Sequence, residues 1–450
     1  MADALKLSFA EEATVNRIAD FNREPDWMRA ERHDALRRFL DLPVEVNPLF
    51  TLYVDLRQAK LDTIDPYIET GEAREVATVV PEGAAGLIEI AEDRVVARAL
   101  SAQAHDAGVV LDTLTHGLSE HPELMAVVRA ITDGGASLPE DDKFAQLARA
   151  LAPLGVLVHV PRNVVLDGPI VVRWAVGAPG RGLISRTLVS LGENAQANIL
   201  EEHVPSAAHE SADDRQSLWW GTSELHLGRG AHLGYAGQQD FGPNTIAIVN
   251  RHATLDQDAQ LRWALASVGA QLHKSRIDNL LVGRGSSVSQ VEIGFGGGRQ
   301  LFDLTSYTRH IGQDTTGDLL SKGVFVDRAR GYFKGMIEIQ RSAKGTDSFL
   351  GEFAMLLTKQ ARSVTIPSLE IDQPDVRRAS HSSSVGPIGE DEIFYLMSRG
   401  IPRDICRKFI VMGFLEPVVA RIPLAEAQDR LRRLLEQKWP LSAMPIVQAA

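Results

Sequence analysis

Three short, similar stretches decide the fold of this chain: LGENAQANIL at 191–200, LGRGAHLGYA at 227–236 and LDQDAQLRWA at 255–264. Each begins with leucine, passes through a polar or glycine turn to alanine, and then continues like a strand. The copies begin 36 and 28 residues apart, and a looser copy, LVGRGSSVSQ, begins at 281. Turn-then-strand units at this spacing are typical of a parallel β-helix, in which each coil stacks on the previous one. The alternative is chance similarity within a region rich in glycine and alanine.

The region around these repeats is rich in β structure. From Gly155 to about Ile371, proline and glycine separate short apolar runs such as Ile170–Val172 and Ile246–Val249, and no helix of ten residues interrupts them. Such a region suits a sandwich, a barrel or a solenoid, and the repeat favours the solenoid. We therefore predict a mainly β protein with helical ends and a parallel β-helix core at 155–375.

Both flanks carry helical patterns. Residues 1–154 are predicted to be helical or mixed, with Ser8 and Glu11 spaced like a capping box before the first helix. Residues 376–450 are predicted to be helical again. The expected helices there run from Asp391 to Arg399, from Pro402 onward, and from Leu424 to Trp439.

Charge and composition exclude several classes of function. The chain has 450 residues, with 47 basic and 59 acidic side chains and a net charge of -12. This balance argues against nucleic acid and anionic membranes as partners. No secretory signal or membrane-spanning stretch is evident, so a cytoplasmic location is expected. A single cysteine, Cys406, rules out a disulfide framework and an all-cysteine metal site within one chain.

Familiar catalytic motifs are absent. The sequence contains no G-K-[ST], no H-E-x-x-H and no G-x-S-x-G. The glycine-rich stretch Gly294–Arg299 is superficially like a phosphate-binding loop. Such a loop needs a helix directly after it, whereas Leu301–Tyr307 alternates like a strand. The favoured interpretation is a coil corner where only glycine fits.

Other candidate chemical groups have plainer explanations. Adjacent carboxylates, Glu201-Glu202 and Asp213-Asp214, suggest a glycosidase, but neighbouring strand residues point to opposite faces. Cys406 lies on an amphipathic helix and is expected to be a buried structural residue, although basic neighbours leave a reactive role open. Histidines in the β region could align in a metal ladder, yet surface or hydrogen-bonded core positions are favoured; they are His203, His226, His232, His252, His273 and His310.

The most specific stretch is 374–417, PDVRRASHSSSVGPIGEDEIFYLMSRGIPRDICRKFIVMGFLEP. It predicts a solenoid end with a solvent-accessible imidazole, His381, in a turn of small residues. A helical module with an aromatic face follows, and such a face suits the docking of a partner.

This stretch resembles the SufB/SufD scaffold proteins of the SUF iron–sulfur cluster assembly system. The resemblance rests on S-H-x-x-x-V-G at 380–386, E-x-F-Y-L-x-S-R-G-I at 392–401 and G-F at 413–414, together with EPDWMRAERHDALRRFLDLP at 24–43. It implies a right-handed parallel β-helix and a complex in which SufB and SufD pair through their cores. It also implies an ABC ATPase, SufC, docked on the C-terminal helices. The residues expected at this dock are Phe394, Tyr395, Arg399, Phe409 and Phe414.

Within this family the chain is most like SufD. SufB-type sequences carry a cysteine in the last coils, at a position that falls near Glu352, and an E-H-E stretch where this chain has Ala379-Ser380-His381. A chain without that thiolate lacks the nucleophile that accepts sulfur as a persulfide. Many SufD proteins carry a cysteine where this chain has Ala379. The alternatives are a SufB-like cluster scaffold and, from a different class, a β-helix carbohydrate-active enzyme.

The resemblance gives four further expectations. The chain is a scaffold subunit and not an enzyme, with ATP hydrolysis in its partner. His381 contributes to a transient iron–sulfur cluster or to iron entry, with Ser380, Ser382 and Ser383 fixing its tautomer. No cofactor is bound permanently, and a role for flavin is left open. Strands in the region Asp318–Ile371 join those of a homologous partner, and the isolated chain forms a homodimer.

Overall fold

Two long parallel sheets face each other in the computed structural model of the chain. The structure describes residues 5, 7–132, 139–211, 213–422 and 424–439. About eight coils each contribute one strand to each sheet, which makes the core a parallel β-solenoid, as predicted. The core strands are β6 (Leu154–Val160), β7 (Val165–Ala175), β8 (Arg181–Leu191), β9 (Gln196–Val204), β10 (Ser217–Leu227), β11 (His232–Gln239), β12 (Thr245–Leu255), β13 (Gln260–Ser267), β14 (Leu272–Leu281), β15 (Ser287–Gly296), β16 (Leu301–His310), β17 (Thr316–Phe325), β18 (Arg330–Ile339), β19 (Asp347–Leu356), β20 (Arg362–Ile371) and β21 (Arg378–Gly386).

Even-numbered core strands form the first sheet and odd-numbered ones the second. Five short strands precede them: β1 (Asp65–Pro66), β2 (Gly71–Ala77), β3 (Gly86–Ala91), β4 (Arg94–Leu100) and β5 (Val110–Thr113). The first sheet runs β5-β6-β8 and on to β20, with β1 also paired to β8; the second runs β2-β4-β3-β7-β9 and on to β21. The sheets therefore reach beyond the interval 155–375 at both ends.

Helices cover the outer faces of both sheets. They are α1 (Glu12–Phe21), α2 (Asp26–Asp41), α3 (Ala102–Asp106), α4 (Leu114–Glu120), α5 (Leu124–Thr132), α6 (Lys143–Leu151), α7 (Glu390–Ser398), α8 (Arg403–Val419) and α9 (Ala425–Lys438). This double cover explains why most core strands are buried on both faces, as parallel sheets usually are.

The N-terminal helices pack on the first sheet. The Trp220 indole N–H donates to the Phe144 carbonyl at 2.8 Å, and Ile246 and Ile248 join the same apolar cluster. The predicted capping box is wrong: α1 begins at Glu12, and Glu11 precedes it without a side-chain cap.

The C-terminal helices pack on the second sheet and are held by polar contacts as well as apolar ones. Gln238 donates to the Ala427 carbonyl at 2.7 Å, and Lys322 donates to the Phe414 carbonyl at 3.0 Å. The aliphatic contacts include Val291 and Ile293 of β15. This arrangement places α7 and the start of α8 beside the last coils.

The repeated turns stack into one continuous corner of the solenoid. Asn194, Gly230, Asp258 and Gly285 all have left-handed backbone conformations, with φ of 56, 66, 58 and 73°. Each of their N–H groups donates to a carbonyl in the next coil at 2.8–2.9 Å. The side chain of Asn194 points at the next corner, so that a Cβ on Gly230 would lie 2.4 Å from its Oδ1. Glycine is therefore required there by both conformation and space.

Replacing Gly230 with alanine is expected to destabilise the protein by about 1–3 kcal/mol, because the left-handed conformation is strained for alanine and the methyl group meets Asn194. The matched control is Gly413→Ala in α8, where a Cβ meets nothing within 4 Å. That control should raise stability by about 0.5–1 kcal/mol. The free energy of unfolding of both variants is measured by urea unfolding. A Gly230→Ala midpoint equal to that of the wild type would contradict the prediction.

Candidate functional site

The solenoid has an open end. Strand β20 pairs only with β18, and β21 only with β19, among the described residues. Each leaves one row of backbone N–H and C=O groups unpaired, which is a template for joining another chain. Strands β17, β18 and β19 are paired on both sides. The predicted joining region, Asp318–Ile371, is therefore corrected: only its last strand is an edge, and the other edge is β21.

His381 lies in β21 and not in a turn. Its Cα partner in β19 is Leu350, which packs inside the solenoid against Leu319 and Ile337. Because paired residues of parallel strands share a face, His381 lies on the inward-facing track of the last strand. No described residue forms a further coil above it, and the side chain is exposed. The imidazole therefore stands at the mouth of the solenoid interior.

The serines around His381 divide between two faces. Ser380 and Ser382 are its immediate neighbours in the strand and point to the opposite side, whereas Ser383 shares its face. Within the described part of the chain, no hydrogen bond to the imidazole is formed. The predicted role of Ser380 and Ser382 in fixing its tautomer is therefore not supported by this geometry.

Two glutamates lie below the mouth, on the same inward track. Glu352 is the Cα partner of Ser383, and Ser321 separates it from Glu292 in the next odd strands. Both glutamates are only 1% exposed. Burial raises the pKa of Glu352 to about 8 and that of Glu292 to about 7. In the sequence, Glu352 stands out only as the position of the SufB cysteine, and no pattern marks Glu292.

A buried ion pair lies deeper in the interior. Arg251 donates to Glu201 Oε2 from Nη2 at 2.5 Å and from Nε at 3.2 Å. Glu202 points outward, where it pairs with Arg173 and Arg430. The two adjacent carboxylates thus face opposite sides, as expected, and form no pair across a substrate cleft. Asp213, which is partly buried, pairs with Arg215 at 2.7 Å.

The interior histidines are core residues. His310 bonds to Thr315 and Ser348, and His273 to Gln239 and Ser267. His203 packs edge-on against Trp219, with ring centroids 4.3 Å apart. Burial lowers the pKa of all three, to about 4 for His203 and His310 and about 3 for His273. They are therefore neutral at pH 7.

Metal-binding clusters are absent from the described ranges: no three or more His, Cys, Asp or Glu side chains there come together to hold an ion. Cys406 is fully buried in α8, and its Sγ donates to the Ile401 carbonyl at 3.3 Å. The glycine-rich stretch forms a corner before β16, with Gly298 at φ 58° and its N–H donating to Asp327. No helix begins there to bind phosphate.

An aromatic surface flanks the open end. Phe394, Tyr395 and Phe409 are 73, 58 and 56% exposed, an unusual number of large apolar side chains in water. The Arg399 guanidinium lies 5.3 Å from the Tyr395 ring centroid. Phe414 instead packs inward, with Lys322 Nζ 4.5 Å from its ring centroid.

A shallow groove between α7 and α8 adjoins this surface. It is lined by Asp391, Glu392, Tyr395, Leu396 and Ile410, so an apolar floor has an acidic rim. None of the described helices combines the length and apolar character that crossing a membrane requires.

Fold and site together define a class: a helix-covered parallel β-solenoid with an open end and an exposed histidine at its mouth. The family described as "SUF system FeS cluster assembly, SufBD core domain" matches residues 174–414, which is more than half of the chain. The chain therefore belongs to the SufBD family and is an iron–sulfur cluster assembly protein. This confirms the family predicted from the terminal motifs.

Curated relatives agree over nearly the whole length. An iron–sulfur cluster assembly SufBD family protein of Staphylococcus saprophyticus is 26% identical over 443 residues, covering 94% of this chain and 92% of the relative. Proteins of the same description from Staphylococcus haemolyticus and Staphylococcus aureus show the same identity and coverage. The similarity thus includes the helical flanks as well as the solenoid.

Proposed function

We propose that the chain is a SufD-like scaffold subunit of the SUF complex. It pairs with a SufB-type subunit at the open end of the solenoid and binds a SufC-type ABC ATPase on α7 and α8. It catalyses no reaction itself, and ATP hydrolysis belongs to the partner. The observation that carries the proposal is the exposed His381 on an edge strand, which is paired on one side only, at the mouth of the interior.

Pairing through the open end follows from backbone chemistry. The free edges of β20 and β21 offer hydrogen bonds to strands of matching geometry, which a homologous solenoid supplies. A second copy of this chain presents the same edges, so the isolated protein forms a homodimer when the SufB-type partner is absent.

A SufD-like role fits the thiol chemistry better than a SufB-like one. The interior position near the mouth holds a carboxyl group, Glu352, and the only cysteine of the chain is enclosed in α8. A persulfide acceptor needs an accessible thiolate. Sulfur delivery therefore falls to the partner.

The ATPase dock is assigned to the aromatic surface. Phe394, Tyr395 and Phe409 supply the apolar contact area, with Arg399 beside them. Aromatic and arginine side chains are the types that most often dominate binding energy at interfaces. Phe414, which packs inward, supports α8 rather than touching the ATPase.

His381 is assigned one ligand position on the nascent cluster or on incoming iron. A neutral imidazole binds such metals, and a single histidine holds no cluster alone. The remaining ligands come from the partner or from sulfide. The cluster is cargo, so this proposal needs no resident cofactor, and it leaves open whether flavin takes part in iron delivery.

The test is His381→Ala in the complex co-expressed with the genomic neighbours of this chain. The mutant complex is expected to assemble and to keep its ATPase activity, while the cluster yield falls at least fivefold. His105→Ala is the matched control, because its side chain is 80% exposed far from the open end. Cluster content is read by absorbance and iron analysis. If the cluster yield of the mutant complex equals that of the wild type, His381 is not a ligand of the cluster or of incoming iron.

A further inference from the structure

The two edge strands at the open end of the solenoid, β20 and β21, do not offer the same hydrogen bonds to a partner. In a parallel sheet, the backbone N–H and C=O groups of alternate residues point to the same neighbouring strand. An edge strand therefore bonds to its one neighbour through every second residue, and the residues between them face outward. The register shows which residues these are.

In β20 the outward positions are the odd-numbered ones. The N–H groups of Arg362, at the start of the strand, and Asp372, just after its end, donate to carbonyls of the preceding coil at 3.1 and 2.9 Å. The pairing with β18 runs between them without a shift in register, so the even-numbered residues bond to β18. Pro367 is therefore at an outward position in the middle of the strand, where it has no N–H to donate.

In β21 the outward positions are also odd-numbered, and none of them is proline. The Arg378 N–H donates to the Thr346 carbonyl at 3.3 Å, and the pairing with β19 continues without a shift to the end of the strand. The even-numbered residues therefore bond to β19. The outward N–H and C=O groups form an unbroken row, which belongs to Ala379, His381, Ser383 and Val385.

The opposite end of the solenoid is unsuited to stacking on this row. Its outermost strands, in the part of the chain that the structure describes, are β2 and β5. The pairing of β2 with β4 is irregular between Glu72 and Ala77, and Glu72, Arg74 and Glu75 are exposed. Strand β5 has only four residues and leads directly into α4. Charge, irregular pairing and short length are features that keep edge strands from joining other chains.

Two copies of the chain therefore join through like ends. A dimer of this kind has a two-fold axis, and two like strands that hydrogen-bond across such an axis run antiparallel. The edge of β21 supplies N–H and C=O groups all along such a ladder. The edge of β20 leaves a gap at its centre, because Pro367 lacks the donor.

We infer that β21 is the strand through which this chain joins a second copy of itself, in an antiparallel β21–β21 ladder, and that β20 forms no continuous ladder with the partner. The inference rests on the proposed function, which places pairing at the open end, and it adds which of the two sheets is continued. The backbone of His381 takes part in the ladder while its side chain faces the interior, so His381→Ala is compatible with assembly.

Proline substitutions at matched outward positions test the inference. Ser383→Pro removes a free N–H from β21 and Thr365→Pro removes one from β20, and neither breaks a ladder hydrogen bond within the chain. The dimer dissociation constant of the purified full-length chain is measured by analytical ultracentrifugation. Because the ladder is symmetric, Ser383→Pro removes two hydrogen bonds from each dimer and should raise this constant by about tenfold or more. Thr365→Pro should leave it nearly unchanged.

Two further variants serve as controls. Ser383→Ala keeps the backbone N–H and should dimerise like the wild type. Val385→Pro acts at the next outward position of β21, and it replaces Ser383→Pro if thermal unfolding shows that the latter does not fold.

The inference is overturned if Thr365→Pro weakens the dimer as much as the folded β21 variant does, or if that β21 variant dimerises like the wild type. It is also overturned if the wild-type chain is monomeric at every concentration. Binding of the co-expressed SufB-type subunit separates this last result from a failure of the proposed function: if the monomeric chain still binds that subunit, its pairing role stands, and if it does not, both are wrong.

Discussion

Replacing Arg251 with methionine is expected to lower the free energy of unfolding by about 3–5 kcal/mol. The pair that Arg251 forms with Glu201 is nearly inaccessible, with side chains 5 and 1% exposed. Burial by itself raises the pKa of Glu201, but the guanidinium outweighs burial and holds the pKa below its usual value. Methionine fills similar space and removes the charge, which leaves a carboxylate enclosed without its partner.

Two variants isolate the cause of this loss. Arg403→Met breaks a similarly short pair with Glu390, at 2.6 Å, but on the surface, and should cost less than about 1 kcal/mol. The double variant Glu201→Gln with Arg251→Met should recover much of the stability, because no unpaired charge remains. The free energies of unfolding of all these variants are measured by chemical unfolding at pH 7. Equal losses for Arg251→Met and Arg403→Met would show that enclosure of the pair is unimportant.

The second large effect concerns Glu352 and pH. Its pKa lies near 8 in the folded chain, against a usual value of 4.5. Between these two values the folded state holds a proton that the unfolded state has lost, so the contribution of Glu352 to stability is largest below pH 4.5 and falls as the pH rises towards 8. Glu352→Gln removes this loss. The free energy of unfolding of the variant, relative to that of the wild type, should therefore rise by about 4 kcal/mol between pH 5 and pH 8.5.

Urea unfolding at pH 5, 7 and 8.5 measures this gain. Glu370→Gln, exposed on β20, should leave the pH dependence unchanged. If Glu352→Gln and the wild type keep a constant difference in stability across this range, the carboxyl is not protonated in the folded state.

The solenoid could be predicted from the sequence because turn residues and strand-like runs recur together along the chain. The turn residues at Asn194, Gly230 and Asp258 recur with strand-like runs after them, and all three occupy equivalent corners. The last strand could not be predicted in this way. RASHSSSVG, at 378–386, has almost no apolar alternation, and its pairing with β19 makes it a strand. Tertiary hydrogen bonding here overrides local composition.

The site was predicted only in its exposed part. His381 and the aromatic residues of α7 and α8 carry motifs that sequence comparison recognises. Glu292 and Glu352 carry none, because a glutamate alternating with apolar residues normally indicates the solvent side of a strand. In this chain helices cover the outer face, so both sides of the strand are enclosed. A carboxyl at an inward position is then visible only once the register is known.

The stacked corner has a consequence for how such a chain can lengthen. Asn194 is followed by Gly230, Asp258 by Gly285 and Asp314 by Gly345, and in each pair the side-chain oxygen occupies the space where a Cβ of the glycine would stand. The first corner departs from this alternation, because Asn163 and Asn194 follow each other there and the Asn194 side-chain amide donates to Asn163 Oδ1 at 3.3 Å. From Asn194 onward, duplication of two successive coils preserves the alternation, whereas a single added coil places two side-chain-bearing residues, or two glycines, in succession. Lengthening this part of the solenoid by a pair of coils is therefore expected to disturb the corner least.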